Sequence, residues 1–179
     1  MKKNTPYDFD TYTIDLTKVD EIKTQFDFVL SDAFFLAFDQ SEIKGGDVSV
    51  ALSVKKASST YEFFFDIKGF VNVSCDRCLT DIHYPIKAEK DLFVKIGDTT
   101  EEVDDDLIIV SEEEKRLNVA WLMYEFIFLS LAIKKVHNEG ECDPSMISLL
   151  AEHNAELKDD KGKESDPRWN ELKKILDNN

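Results

Sequence analysis

The stretch "DVSVALSVKKASSTYEFFFDIKGFVNVSCDRCLTDIHYPIKAEKDLFVKI", Asp47 to Ile96, decides the fold. Val48, Val50, Leu52 and Val54 alternate with Ser49, Ala51, Ser53 and Lys55. Tyr61, Phe63, Phe65, Ile67, Gly69, Val71, Val73 and Cys75 then share one face. Next, Ile82, Tyr84, Ile86, Ala88, Leu92, Val94 and Ile96 lie opposite His83, Lys87, Glu89, Asp91 and Lys95. Successive side chains of a strand point to opposite sides of the sheet, so a period of two marks strands with one buried face. Such runs joined by short turns predict an antiparallel meander, with "CDRC" on a hairpin tip. The preceding "KGGD" reads as a turn in which Gly45 and Gly46 are free to take positive φ.

Working outward, "TYTIDL" (11–16) and "FDFVL" (26–30) read as short strands, and "SDAFFLAF" as a short helix capped by Ser31 or Asp32. After the meander, "DTTEEVDDD" reads as a solvated acidic loop and "LIIV" (107–110) as a further strand. Asn118 can cap a helix over 119–132 that is apolar nearly all round and so belongs against the sheet. The expected fold class is α+β: a twisted antiparallel sheet of about five to seven strands, with curling toward a barrel as one outcome, packed on this helix. A weaker helix follows from Ser145 to about Leu157, so residues 1–157 form one domain. Residues 158–165 read as a charged linker and 166–179 as an amphipathic C-terminal helix, with Pro167 at its first position and Trp169, Leu172, Ile175 and Leu176 on one face.

A chain of 179 residues suffices for one domain with a real core and appendages. Its 22 Lys+Arg against 37 Asp+Glu give a net charge of −15. Nonspecific grip on nucleic acid needs cationic side chains that displace counterions, so this balance disfavours it and favours protein partners, especially basic ones. Arg77, Lys87 and Lys95 are the candidates for a local basic edge. The opening "MKKNTPYDFD" has lysines without an apolar run after them, and the apolar run 119–133 carries Glu125 and is too short to span a bilayer. A cytoplasmic protein with no membrane partner is expected. An odd count of 3 cysteines argues for reduced thiols rather than a disulfide framework.

The pair Cys75 and Cys78 admits several readings. Two sulfurs on a hairpin tip are half a zinc site, and the rest would come from Cys142 with His137, or Cys142 with His153. A redox pair could use Arg77 to stabilise a thiolate, and a nucleophile would need a base that the spacing of the three histidines does not supply. The leading reading is small apolar side chains closing the turn, with Cys75 continuing the buried face. No cofactor is therefore expected, and zinc on Cys75, Cys78, Cys142 and His137 is the alternative. Glu125 is read as a carboxylate reaching a partner or solvent, and Asp104 to Asp106 lack the spaced ligands of a calcium loop. Trp169 is read either as a partner anchor or as folding back onto the core. With no phosphate-cradling glycine loop and no Ser/His/Asp pattern, neither an enzyme nor a small-molecule substrate is expected.

The order of "IDL", "EIKGGDVSVAL", "VNVSCDRCLTDIHYPI", "SLAIKKVHNEGECDP" and "DPRWNELKKIL" resembles the bacterial YceD family, the large ribosomal RNA subunit accumulation proteins, from about Asp10 to Leu176. Its most specific pieces are C-x-R-C-L at Cys75, Arg77, Cys78 and Leu79 and D-P-R-W at Asp166 to Trp169. The resemblance implies a non-enzymatic role in large-subunit rRNA accumulation and ribosome assembly, with a ribosomal protein or assembly factor as partner and rRNA contacted directly or through it. Many members carry a further run resembling a zinc-binding G-L-C-x-x-C-G. Here "CDPSMISLLAEHNAEL" keeps Cys142 but has Leu149, Leu150 and His153 in the place of its later residues. Cys75, Arg77, Cys78, Arg168 and Trp169 are the candidate contact residues. A thiol- or zinc-dependent regulatory module is the alternative function.

Overall fold

The alternating runs become three long neighbouring strands. The structure, a computed structural model, describes residues 7–20, 22–38 and 42–153. In chain order its elements are β1 (Thr13–Asp15), β2 (Thr24–Leu30), α1 (Asp32–Phe35), β3 (Gly45–Ala57), β4 (Thr60–Ser74) and β5 (Asp81–Gly97). They continue with β6 (Glu101–Asp104), β7 (Leu107–Ser111), β8 (Arg116–Asn118), α2 (Ala120–Leu129) and α3 (Pro144–His153). The chain divides into two units, Met1–Cys142 and Asp143–Asn179. The expected linker 158–165 and helix 166–179 lie outside the described residues.

The fold is α+β, with six strands in one sheet ordered β2-β3-β4-β5-β7-β6 and β1 paired with β8 in a second, two-stranded sheet. The large sheet stays open and does not close into a barrel. Its β3 to β5 part is the expected antiparallel meander, and β2 adds antiparallel to β3, but β5 and β7 run parallel, so the sheet is mixed. The acidic stretch expected as a loop contains β6, every residue of which is exposed. A buried-face pattern cannot reveal such a strand. Ile108 and Val110 of β7 are buried, so β7 takes the inner place beside β5 and the acidic β6 becomes the edge. Because β6 and β7 form an antiparallel hairpin that folds back in this way, β7 ends parallel to β5. Charged side chains on an edge strand also discourage pairing with another chain.

The first expected strand shrinks to β1, flanked by 3-10 turns at Asp10–Tyr12 and Leu16–Lys18. Asp15 starts the second turn by accepting from the Thr17 amide at 3.1 Å and its hydroxyl at 2.6 Å. Gly45 and Gly46 have positive φ as expected, but within β3 rather than in a turn. Gly69 shows why glycine is needed along this pair of strands. With φ at +154°, it faces Val48, and a Cβ there would lie 2.2 Å from the Asp47 carbonyl oxygen. Pro85 sits in the stretch of β5 that β7 does not reach, because β7 pairs only with Phe93–Gly97; there its missing N–H costs no ladder bond.

The inner face of the sheet buries Val50, Leu52, Phe63, Phe65, Ile67 and Leu92 almost completely. Helix α2 closes this core with Met123 and Ile127, and the Phe126 ring meets Phe65 edge-on at 5.2 Å. Asn118 performs the expected capping: its side-chain oxygen accepts from the Ala120 amide at 2.9 Å, while its side-chain amide donates to the Phe9 carbonyl at 2.7 Å. The helix stops at Leu129, short of the expected residue 132. Ser130 ends it by donating its hydroxyl to the Ile127 carbonyl at 2.6 Å, which competes with continuation of the backbone ladder. Beside the helix, Phe34 packs against Tyr12, Phe9 and Phe38, and Phe38 stacks on Tyr124 at 4.3 Å between ring centres.

In the second unit, α3 begins one residue before expectation. The Asp143 carboxylate accepts from the Ser145 hydroxyl and, at 3.0 Å, from the Met146 amide, and these donors hold its carboxyl below the ordinary range.

Candidate functional site

Strand β4 ends at Ser74 and β5 begins at Asp81, so the CxRC motif occupies the hairpin tip expected from the sequence. The tip is tightly wound. The Cys75 amide donates to the Thr80 carbonyl at 2.8 Å, and the Leu79 amide donates to the Cys75 carbonyl at 2.9 Å. Leu79 takes a left-handed φ of 63°, a conformation that costs a side-chain-bearing residue and that the surrounding bonds must hold. This winding turns both sulfurs inward: Cys75 and Cys78 are buried while Asp76, Arg77 and Leu79 remain exposed. The Arg77 amide donates to Cys75 Sγ at 3.4 Å.

A distant segment fastens to this tip through backbone. The Asp76 amide donates to the Lys135 carbonyl at 2.7 Å, and the Lys135 amide returns a bond to Asp76 Oδ2 at 2.6 Å. The Lys135 ammonium also reaches Glu42 at 3.4 Å. Beyond this latch the chain turns, with Glu141 donating to the Asn138 carbonyl at 3.2 Å and Gly140 at φ 87°. The turn delivers His137 and Cys142 to the hairpin. Cys78 Sγ lies 3.5 Å from His137 Nδ1, and Cys75 Sγ lies 4.0 Å from Cys142 Sγ. The donor atoms of Cys75, Cys78, His137 and Cys142 all fall within 4.8 Å of one another. Every cysteine of the chain is in this group and all are buried, without a disulfide among them.

The surroundings favour negative charge on one sulfur, that of Cys75. Burial works against a Cys75 thiolate, but amides of Cys78, His137 and Arg77, with the His137 ring, outweigh it and lower that thiol to about 5. Cys142 moves the other way, raised by its burial and by the neighbouring sulfurs. His137 is raised chiefly by its contact with Cys75. The Arg77 guanidinium adds positive charge, with Nη1 3.7 Å from Cys142 Sγ. Three thiols and one imidazole at these separations can share a proton network, form a disulfide on oxidation, or bind a soft cation.

The other sequence candidates disperse. Arg168 and Trp169 lie outside the described residues, and His153 is on α3 in the second unit. Lys87 and Lys95 do lie on one face of β5, but Glu89 and Asp91 come between them and break up a continuous basic edge. Glu125 is half-buried and lines a groove with Lys90 and the acidic β6–β7 hairpin. Asp76, Thr80 and Lys135, which shape the site, were not singled out from sequence, because backbone latches leave no periodic signal.

Neither the curated proteins nor the solved structures searched contain a match. A family model described as "Large ribosomal RNA subunit accumulation protein YceD" matches residues 64–176, a span that includes most of β4, all of β5 and α2, and all four clustered side chains. With well over half its length matched, including the hairpin and the segment latched to it, this chain belongs to the YceD family.

Proposed function

We propose that the chain is a non-enzymatic, cytoplasmic factor that supports accumulation of large-subunit ribosomal RNA during ribosome assembly, reaching the RNA through a basic ribosomal protein or assembly factor. The observation that carries this reading is the family match over residues 64–176. The net charge of −15 supports a protein-mediated route. So does a groove of about 700 Å³ lined by Asp104, Asp105, Asp106 and Glu125 together with Leu122 and Phe126, with Lys90 its one basic residue among those described, which offers acid and apolar surface together. A basic amphipathic segment complements such a surface. At the other end of β5, Arg77 on the hairpin tip is a second contact, for an acidic or phosphate group. No helix among the described residues is long and apolar enough to cross a membrane.

Affinity capture of the tagged chain from its own cells, with and without ribonuclease, tests the route. The expected result is a basic protein partner that survives nuclease and large-subunit rRNA that is recovered only while that partner is present. Replacing Asp104, Asp105 and Asp106 together by Asn should weaken recovery of both. Loss of every partner on nuclease treatment would instead establish direct RNA contact.

A further inference from the structure

We infer that Cys75, Cys78, His137 and Cys142 bind one zinc ion in a closed tetrahedral site that pins the segment 134–142 onto the β4–β5 hairpin. This inference stands on the cluster itself and does not depend on the role in rRNA accumulation.

The geometry is close to what zinc requires. With Zn–S near 2.3 Å and Zn–N near 2.0–2.1 Å, tetrahedral ligands lie about 3.5–3.8 Å apart. The His137 Nδ1 to Cys78 Sγ separation is 3.5 Å and the Cys75 to Cys142 separation is 4.0 Å, with the widest spacing in the group within 4.8 Å. Small side-chain movements would bring all four donors to one centre. Thiolates and imidazole are soft and borderline ligands, suited to zinc rather than to magnesium or calcium. Four protein ligands leave no open coordination position, which is the arrangement of a structural site.

The bland alternative is that buried cysteines act as small apolar side chains. That accounts for each one singly but gives no reason for all 3 cysteines of the chain to converge on one imidazole. It also leaves the Arg77 amide and guanidinium directed at sulfur without purpose. Around a metal they make sense: three thiolates and a divalent cation sum to one negative charge, and amide and guanidinium donors to sulfur offset it. Binding displaces the thiol protons, so the metal replaces protons that the site otherwise holds. The geometry thus favours the zinc alternative over the expectation of no cofactor.

The test uses the full chain, purified under reducing conditions without chelator. Elemental analysis should find about one zinc per chain. Cobalt(II) added after zinc removal should give the visible bands of a tetrahedral ion and near-ultraviolet thiolate-to-cobalt bands. Cys142→Ser and His137→Ala should each lower metal affinity by more than the roughly 10–100-fold that outer ligand-orienting partners command. The cobalt spectrum of the unaltered chain decides the matter even where a variant fails to fold. Absence of zinc together with absence of tetrahedral cobalt bands would overturn the inference, as would full metal retention in both variants.

Discussion

Stripping zinc from the native chain with a chelator is expected to release residues 134–142 while leaving the large sheet folded. The reason is that this segment has little else to hold it. Its described ties to the hairpin are the Asp76–Lys135 pair of hydrogen bonds, the Arg77–Cys142 contact and the contacts among the four clustered side chains, whereas β4 pairs with β5 along its whole length and with β3 from Thr60 to Asn72. Without the cation, three buried thiols face one another and an imidazole with no shared centre to repay their ordering. Hydrogen exchange should therefore show the Lys135 and Asp76 amides losing protection on chelation, with the amides of Phe63 and Phe65 unchanged. An ion present at a thousandfold over its dissociation constant stabilises the folded state by about 4 kcal/mol. For a chain of this size that corresponds to a melting temperature roughly 8–16 °C lower after metal removal. Unchanged exchange at Lys135 would show that the backbone latch alone holds the segment.

Phe65→Ala is expected to produce the largest loss of stability from a single side chain, about 3–5 kcal/mol. Phe65 is fully buried on the central strand β4, its backbone lies between Leu52 and Lys90, and its ring meets Phe126 of α2 edge-on. Truncation there opens a cavity where sheet and helix meet, and the surrounding strands are too extensively paired to collapse into it. Phe128→Ala provides the contrast. That side chain is 38% exposed near the end of α2, so less apolar surface returns to water and little cavity forms. Urea unfolding of both variants measures the difference directly; equal losses would mean that α2 does not cover the sheet as described.

The sequence shows the meander because β3, β4 and β5 each bury one face and expose the other, each strand keeping its own period-two phase. It hides β6 because Glu101–Asp104 is all solvent-exposed, leaving no alternation to read. The parallel β5–β7 pairing is equally invisible: it follows from which of two neighbouring short strands is apolar enough to lie inside, a competition settled only in three dimensions. The early end of α2 turns on one Ser130 hydroxyl. At the site, Cys75 and Cys78 announce themselves by spacing, and the sequence offers His137 and Cys142 among several possible companions. Choosing between them depends on the Asp76–Lys135 latch, in which three of the four groups are backbone and the fourth is one aspartate carboxylate among many in an acidic chain. Gly140 in a left-handed turn helps bring Cys142 back, a role that a lone glycine in a charged stretch does not reveal.

Membership of the YceD family points this chain to the accumulation of large-subunit ribosomal RNA, the role proposed for it. Its most direct test is the ratio of large- to small-subunit rRNA in cells lacking the chain, measured with and without a plasmid that restores it. The ratio should fall in the deletion strain and recover with the restored chain. An unchanged ratio, under conditions where the chain is normally expressed, would contradict it.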